Sequence, residues 1–166
     1  YAPRVDESTL ENETPQALVR RLSEAKARAA TNRHPDALII GSDQVAVVND
    51  RIVGKPGNHD AAVDQLRNAS GKTVHFYTGL CLLNATTGSM HLDVIPYEVT
   101  FRRLTDGQIE NYLRHDEPYG CAGSFRSEAL GIALFQRMSG DDPNTLMGLP
   151  LIRLIEMLET EGVEII

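Results

Sequence analysis

Two long strand-like runs on either side of one short turn constrain this chain more than any other feature. Residues 73–84 (TVHFYTGLCLLN) and 89–104 (SMHLDVIPYEVTFRRL) flank Ala-Thr-Thr-Gly at 85–88. Their spacing predicts a long antiparallel hairpin, bent near Pro96, where the backbone offers no N–H to a ladder. Helical patterns lie on both sides of it. Thr14-Pro15 reads as a helix start, with Thr as cap and Pro in the first turn, followed by Leu18, Leu22, Ala25 and Ala29 on one apolar face. Residues 59–70 predict a second helix that buries Ala62, Val63, Leu66 and Ala69 and stops at Gly71. Residues 105–116 predict a third, capped by Thr105, and 150–162 a fourth with Leu151, Leu154, Ile155 and Leu158 inward. Shorter runs, 37–40 (ALII), 44–48 (QVAVV, returning through 52–54 after an Asn-Asp-Arg turn) and 132–140, read as strands. Strands and helices that interleave in this way define the α/β class. No repeat or low-complexity linker divides the chain, so residues 1–166 read as one domain.

Composition sets the limits. The chain has 166 residues, 42% hydrophobic and 23% charged, enough for a core that needs no disulfide or metal staple. Its net charge of -7 argues against a nucleic-acid polymer as partner, because such binding needs a basic stripe, yet a few local cations suffice for a small phosphorylated ligand. No apolar stretch approaches the ~20 residues of a membrane span, and no signal peptide stands at the start. Cys81 and Cys121 match no metal spacing and no disulfide framework, which fits a reduced, cytoplasmic compartment. The chain opens on Tyr1 rather than Met and so reads as a fragment, a processed form or a chain whose beginning is absent.

Several polar residues interrupt apolar runs. In 39–48 (IIGSDQVAVV), Gly41, Ser42, Asp43 and Gln44 separate two apolar segments, and a carboxylate there is costly unless it is bonded or used. Placed at the C-terminal end of a strand 37–40, Asp43 would hold a hard cation or take a proton from an attacking water; alternatively it caps a turn. Lys55, in the tight Gly-Lys-Pro loop, suits a phosphate, or is an exposed turn lysine. Lys26 lies beside the apolar face of the first helix, where most lysines only lay their stems on apolar surface. Glu128, in GSFRSE (123–128), would accept hydrogen bonds from a base edge or is an ordinary loop acid. Arg126 and Asn144 are open between functional and structural roles. Glu7 is a further polar candidate. The five histidines show no metal spacing and read as surface or structural. No nucleophile elbow, Walker A or HExxH pattern is present.

Taken in order, VDES (5–8), LSEAKARA (22–29), IIGSDQV (39–45), GKP (54–56), LRNASGKTVHFYTGL (66–80), YEVTFRRLTDGQIENYL (97–113) and CAGSFRSEALGIALFQRMSGDDPNTLMGLPL (121–151) resemble Maf-like nucleoside triphosphate pyrophosphatases over nearly the whole chain. The resemblance implies a mixed, strongly twisted, elongated sheet flanked by helices, of the kind shared with inosine triphosphatases, with a cleft between two lobes. It implies Asp43 as proton acceptor, Asp43 and Glu7 as ligands of a divalent cation (Mg²⁺ or Mn²⁺), and Lys26 and Lys55 as phosphate contacts. Gln44 and Glu128 would read the base. Where many members have a Thr and a Gln, this chain has Gln44 and Glu128, which resembles the branch that hydrolyses 7-methyl-GTP. An acid at Glu128 favours the cationic ring of an N7-methylated guanine. A pyrophosphatase acting on dTTP or UTP, and a nucleotide-sensing regulator of septum formation, are the alternatives the resemblance carries. It also suggests a homodimer, the second copy covering an edge left by the hairpin 73–104. The family opens with a strand and a Ser/Pro/Arg-rich phosphate loop ahead of VDES, and this chain begins almost at VDES.

Overall fold

The structure, a computed structural model, describes residues 4–166. Its strands are β1 (Leu38–Val48), β2 (Arg51–Val53), β3 (Thr73–Asn84), β4 (Met90–Phe101) and β5 (Phe135–Ser139). Its α-helices are α1 (Pro15–Ala30), α2 (His59–Ala69), α3 (Asp106–Asp116) and α4 (Leu151–Thr160). One five-stranded sheet runs in the order β2-β1-β3-β4-β5. β1 pairs antiparallel with β2 through Ala46–Val48, and β4 antiparallel with β5 through Glu98–Phe101. β3 and β4 form the expected hairpin: Asn84 N–H donates to Ser89 O (2.9 Å) at its tip, and Phe101 N–H to Lys72 O (2.8 Å) at its base.

The hairpin is flanked on both sides over part of its length: β1 lies beside β3, and β5 beside Glu98–Phe101 of β4. A correction concerns 37–48. The two predicted strands are one, and Asp43 sits inside β1 rather than at a strand end. The polar residues do not break the strand, because alternate side chains leave it on opposite faces.

The chain divides into two compact units, residues 1–44, 77–95 and 142–166 in the first, 45–76 and 96–141 in the second. In the first unit, β3 is covered on both faces. Cys81 and Leu83 pack with Ala27 and Ala30 of α1 and Ile39 of β1. Leu80 and Leu82 pack with Leu154 and Met157 of α4. Helices on both faces explain why β3 reads as a nearly continuous apolar run. α1 buries Leu18, Val19, Leu22, Ser23, Ala27 and Ala30, whereas Ala29, placed inward by the sequence reading, is exposed. In α4, Leu154 and Met157 are buried and Leu158 packs beside them as expected; Leu151 and Ile155 are exposed.

In the second unit, α2 and α3 lie together, with Val63, Leu66, Ile109 and Leu113 buried. Phe76, Phe101, Phe125 and Phe135, all four phenylalanines of the chain, meet edge to face with ring centres 4.9–5.6 Å apart. Such contacts add about 0.5–1.5 kcal/mol per pair beyond burial. α3 starts on a full capping box between Thr105 and Gln108.

Candidate active site

Two glycines set how closely α1 approaches the sheet. A Cβ at Gly41 of β1 would lie 2.2 Å from Ser23 O and 2.7 Å from Ala27 N; one at Gly79 of β3 would lie 2.2 Å from Val19 O. No other residue permits this contact without moving the helix. Ser23 is tolerated in the buried helix face because its hydroxyl donates to Arg20 O (3.0 Å) within the helix.

Asp43 lies two residues beyond Gly41 on the same face of β1, and the close approach of α1 brings Lys26 to it. Lys26 Nζ donates to Asp43 Oδ1 at 2.5 Å and lies 2.8 Å from Glu7 Oε1. The Asp43 side chain is 13% exposed and that of Lys26 20%, so this is a shielded ion pair that still opens to solvent. Burial pulls the Lys26 ammonium down, but its bonds to Asp43 and Glu7 outweigh that and hold it above the ordinary lysine value. A cavity of about 420 Å³ is lined by Lys26, Ala30, His34 and residues 37–42.

Ser42 and Gln44 leave the opposite face of β1. The Ser42 hydroxyl lies 2.9 Å from Gly79 O and 2.7 Å from Gly148 O. Gln44 Nε2 donates to Thr78 Oγ1 (2.8 Å) and to Thr145 O (2.7 Å), and Thr78 donates to the same carbonyl (3.1 Å). These bonds fasten the 3-10 turn Pro143–Met147 to the sheet. Gln44 is thus not brought to the Asp43 cluster; its amide is committed to holding a turn. Asn144 is structural too: its backbone N–H and its side chain both donate to Asp142 Oδ1 at 2.8 Å. Asp142 Oδ2 takes Ile152 N–H (2.8 Å) at the start of α4. Burial raises the Asp142 pKa, but these amides outweigh it and hold the carboxyl below its ordinary value.

The second unit carries Lys55 and Glu128, both exposed. Gln65 of α2 ties their two loops, donating to Gly54 O (3.1 Å) and accepting from Ser124 Oγ (2.5 Å). Gly57 N–H adds a bond to Tyr119 O (2.9 Å). Tyr119 Oη meets His59 Nδ1 (3.0 Å), whose Nε2 faces Glu110 (3.1 Å). His59 therefore has the structural role its sequence suggested, as does His91, which bonds Glu161 (2.7 Å). Arg126 caps α3: its guanidinium donates to Asp116 O and Glu117 O, the last carbonyls of that helix.

Comparison with known proteins shows the family. A sequence model of the Maf-like protein family matches residues 1–161. The chain belongs to the Maf family. A Maf relative from Nitrosococcus oceani is 58% identical over 161 residues, 97% of this chain and 81% of its own length. One from Alcanivorax borkumensis is 54% identical over 164 residues (99% and 83%), and one from Pseudoalteromonas translucida 53% over 166 (100% and 82%). All three are named 7-methyl-GTP pyrophosphatase.

Within this Maf chain, the structure brings together Glu7, Lys26 and Asp43, three of the candidates read from the sequence. Sequence reasoning missed the supports around them. Arg21 clasps Glu13 with Nε at 2.7 Å and Nη2 at 2.8 Å, and Thr78, Thr145 and Asp142 hold the turn on the far face. Only the spacing of Gly41 and Gly79, one on each of two neighbouring strands, carries a readable signal for the helix contact.

Proposed function

We infer that this chain is a nucleotide pyrophosphatase that hydrolyses the α–β phosphoanhydride of 7-methyl-GTP to 7-methyl-GMP and pyrophosphate. The observation that carries the chemistry is the convergence of Asp43 and Glu7 on one ammonium. The observation that supports the substrate is a set of relatives at 52–58% identity that bear this activity in their names.

In this reading Asp43 takes a proton from a water whose oxygen forms a bond to phosphorus as the bridging P–O bond breaks. Its ion pair with Lys26 requires the ionised carboxylate, the form that accepts a proton. Lys26 and Lys55 neutralise charge as it builds on the phosphate oxygens. Glu7 and Asp43 would hold a divalent cation, Mg²⁺ or Mn²⁺. Two carboxylates that already share a cation fit this, since such ions take a few carboxylates together with phosphate oxygens. When bound, the ion shields the phosphate charge from the attacking water. Glu128 would accept hydrogen bonds from the cationic methylated base. Gln44 would act through the Thr145 turn rather than on the base.

Among the described residues, no helix is long and apolar enough to cross a membrane. A cytoplasmic homodimer belongs to the same reading, and size-exclusion chromatography with light scattering measures its mass directly.

The test is a panel of GTP, 7-methyl-GTP, dTTP and UTP assayed for pyrophosphate with and without Mg²⁺. The highest kcat/KM is expected for 7-methyl-GTP with the metal. A hydrogen bond to a charged group contributes about 1.5–3 kcal/mol, so Glu128→Gln is expected to lower the preference for 7-methyl-GTP over GTP about 10- to 100-fold. A preference that this variant leaves unchanged contradicts the role of Glu128; best turnover of dTTP or UTP contradicts the substrate.

A further inference from the structure

Glu7 lies on a stretch, residues 4–14, that has no helix or strand to hold it. Its side chain is 59% exposed, so packing does not orient it. Hydrogen bonds around it do. Asp6 Oδ1 accepts from Ser8 N–H (3.0 Å) and Ser8 Oγ (2.6 Å), which folds the chain tightly about Glu7. The carbonyl of Ser8, next to Glu7, accepts from Arg21 Nη2 at 2.9 Å.

Arg21 is itself fixed. Its Nε and Nη2 grip both oxygens of Glu13 at 2.7 and 2.8 Å, a two-pronged pair with defined geometry. Glu13 also accepts Leu10 N–H (3.0 Å). The Glu13 side chain is only 7% exposed, unusual for an acid in irregular chain, and is tolerated because its oxygens are satisfied. Bonds to Arg21 and to Leu10 hold its pKa at about 2, so it is ionised at neutral pH. Arg21 stands five residues before Lys26 on α1, the helix that Gly41 and Gly79 seat against the sheet. One rigid element therefore carries both the ammonium between the two acids and the guanidinium that pins the strand of chain bearing one of them.

We propose that Arg21, seated on Glu13, is a positioning residue for hydrolysis: it holds the peptide after Glu7 so that the Glu7 carboxylate converges with Asp43. The proposal rests on the roles of Glu7 and Asp43 inferred above. Arg21 touches no reacting atom; its effect passes through Glu7, and that makes it separable from a plain contribution to folding.

A double-mutant cycle makes the separation. Wild type, Arg21→Gln, Glu7→Gln and the double variant are compared in kcat, KM, urea midpoint and direct Mn²⁺ binding followed by electron paramagnetic resonance. Partners that orient a ligand typically contribute 10- to 100-fold, so Arg21→Gln is expected to weaken Mn²⁺ binding and lower kcat/KM about that much. In the Glu7→Gln background the same change is expected to have almost no further effect on either, because the residue it acts through is gone. Glu13→Gln loosens the clasp from its other side and is expected to repeat the pattern, so a poorly folding Arg21 variant does not decide the matter. Losses of equal size in both backgrounds overturn the proposal and leave Arg21 a folding residue. A Glu7→Gln protein that binds Mn²⁺ and turns over like wild type instead overturns the assignment of Glu7, and the proposal with it.

Discussion

Single residues in this protein take their roles from which face of a strand they leave. Asp43 and Gln44 are adjacent, yet Asp43 meets Lys26 and Gln44 meets Thr78 and the Thr145 carbonyl. The carboxylate meets an ammonium in a pair that still opens to solvent; the amide nitrogen bonds a turn on the other face. Removing a half-buried amide from such a network forfeits its hydrogen bonds to Thr78 and the Thr145 carbonyl, at about 1–3 kcal/mol. Gln44→Ala is therefore expected to lower the urea unfolding free energy by that amount while the ratio of 7-methyl-GTP to GTP turnover stays the same. A changed ratio at unchanged stability would return Gln44 to reading the base. The sequence reading gave Gln44 to the base, since a polar pair between apolar runs looks the same whichever residue faces the ligand.

At the level of elements, the decisive contact is α1 against β1 and β3. It depends on two residues without side chains, Gly41 and Gly79. An added methyl group at Gly41 would meet backbone atoms of Ser23 and Ala27, which cannot swing away as a flexible side chain does. Overpacking of this kind costs about 1–3 kcal/mol or more. Gly41→Ala is expected to lower the melting temperature and, by moving α1, to draw Lys26 off Asp43 and cut kcat. Wild-type values of both would show that the helix contact does not place the lysine. The elements themselves were largely legible: all four helices, the hairpin and the β1–β2 return follow from apolar spacing and caps. The faces were less so. Ala29 was expected inside α1, but the buried line runs through Ser23 and Ala27, because the small residues there answer the glycines opposite. Leu151 and Ile155 of α4 were expected inside and are exposed, while Met157 is buried. Local periodicity does not say which of two apolar stripes a neighbouring strand will cover.

For the whole molecule, the order of motifs was readable and their mutual placement was not. Strands β1, β3 and β4 each contribute to both units, so residues far apart in sequence share a core: residues 1–44, 77–95 and 142–166 form one. No spacing rule in the chain announces that Glu13 and Arg21 clasp each other, or that a turn after residue 142 closes on β1. The sequence reading nevertheless named the three residues, Glu7, Lys26 and Asp43, that the first unit brings together. Its net charge of -7 also fits a substrate held by a few lysines rather than a polyanion laid along a surface. The central claim is that Asp43 takes the proton from the attacking water. It is tested most directly by pyrophosphate release from 7-methyl-GTP with Mg²⁺, comparing wild type with Asp43→Asn at matched thermal stability. A positioned general base typically contributes about 10²- to 10⁴-fold, so a loss of that size in kcat is expected from a variant that melts like wild type. Turnover within a few-fold of wild type in such a folded variant contradicts the account.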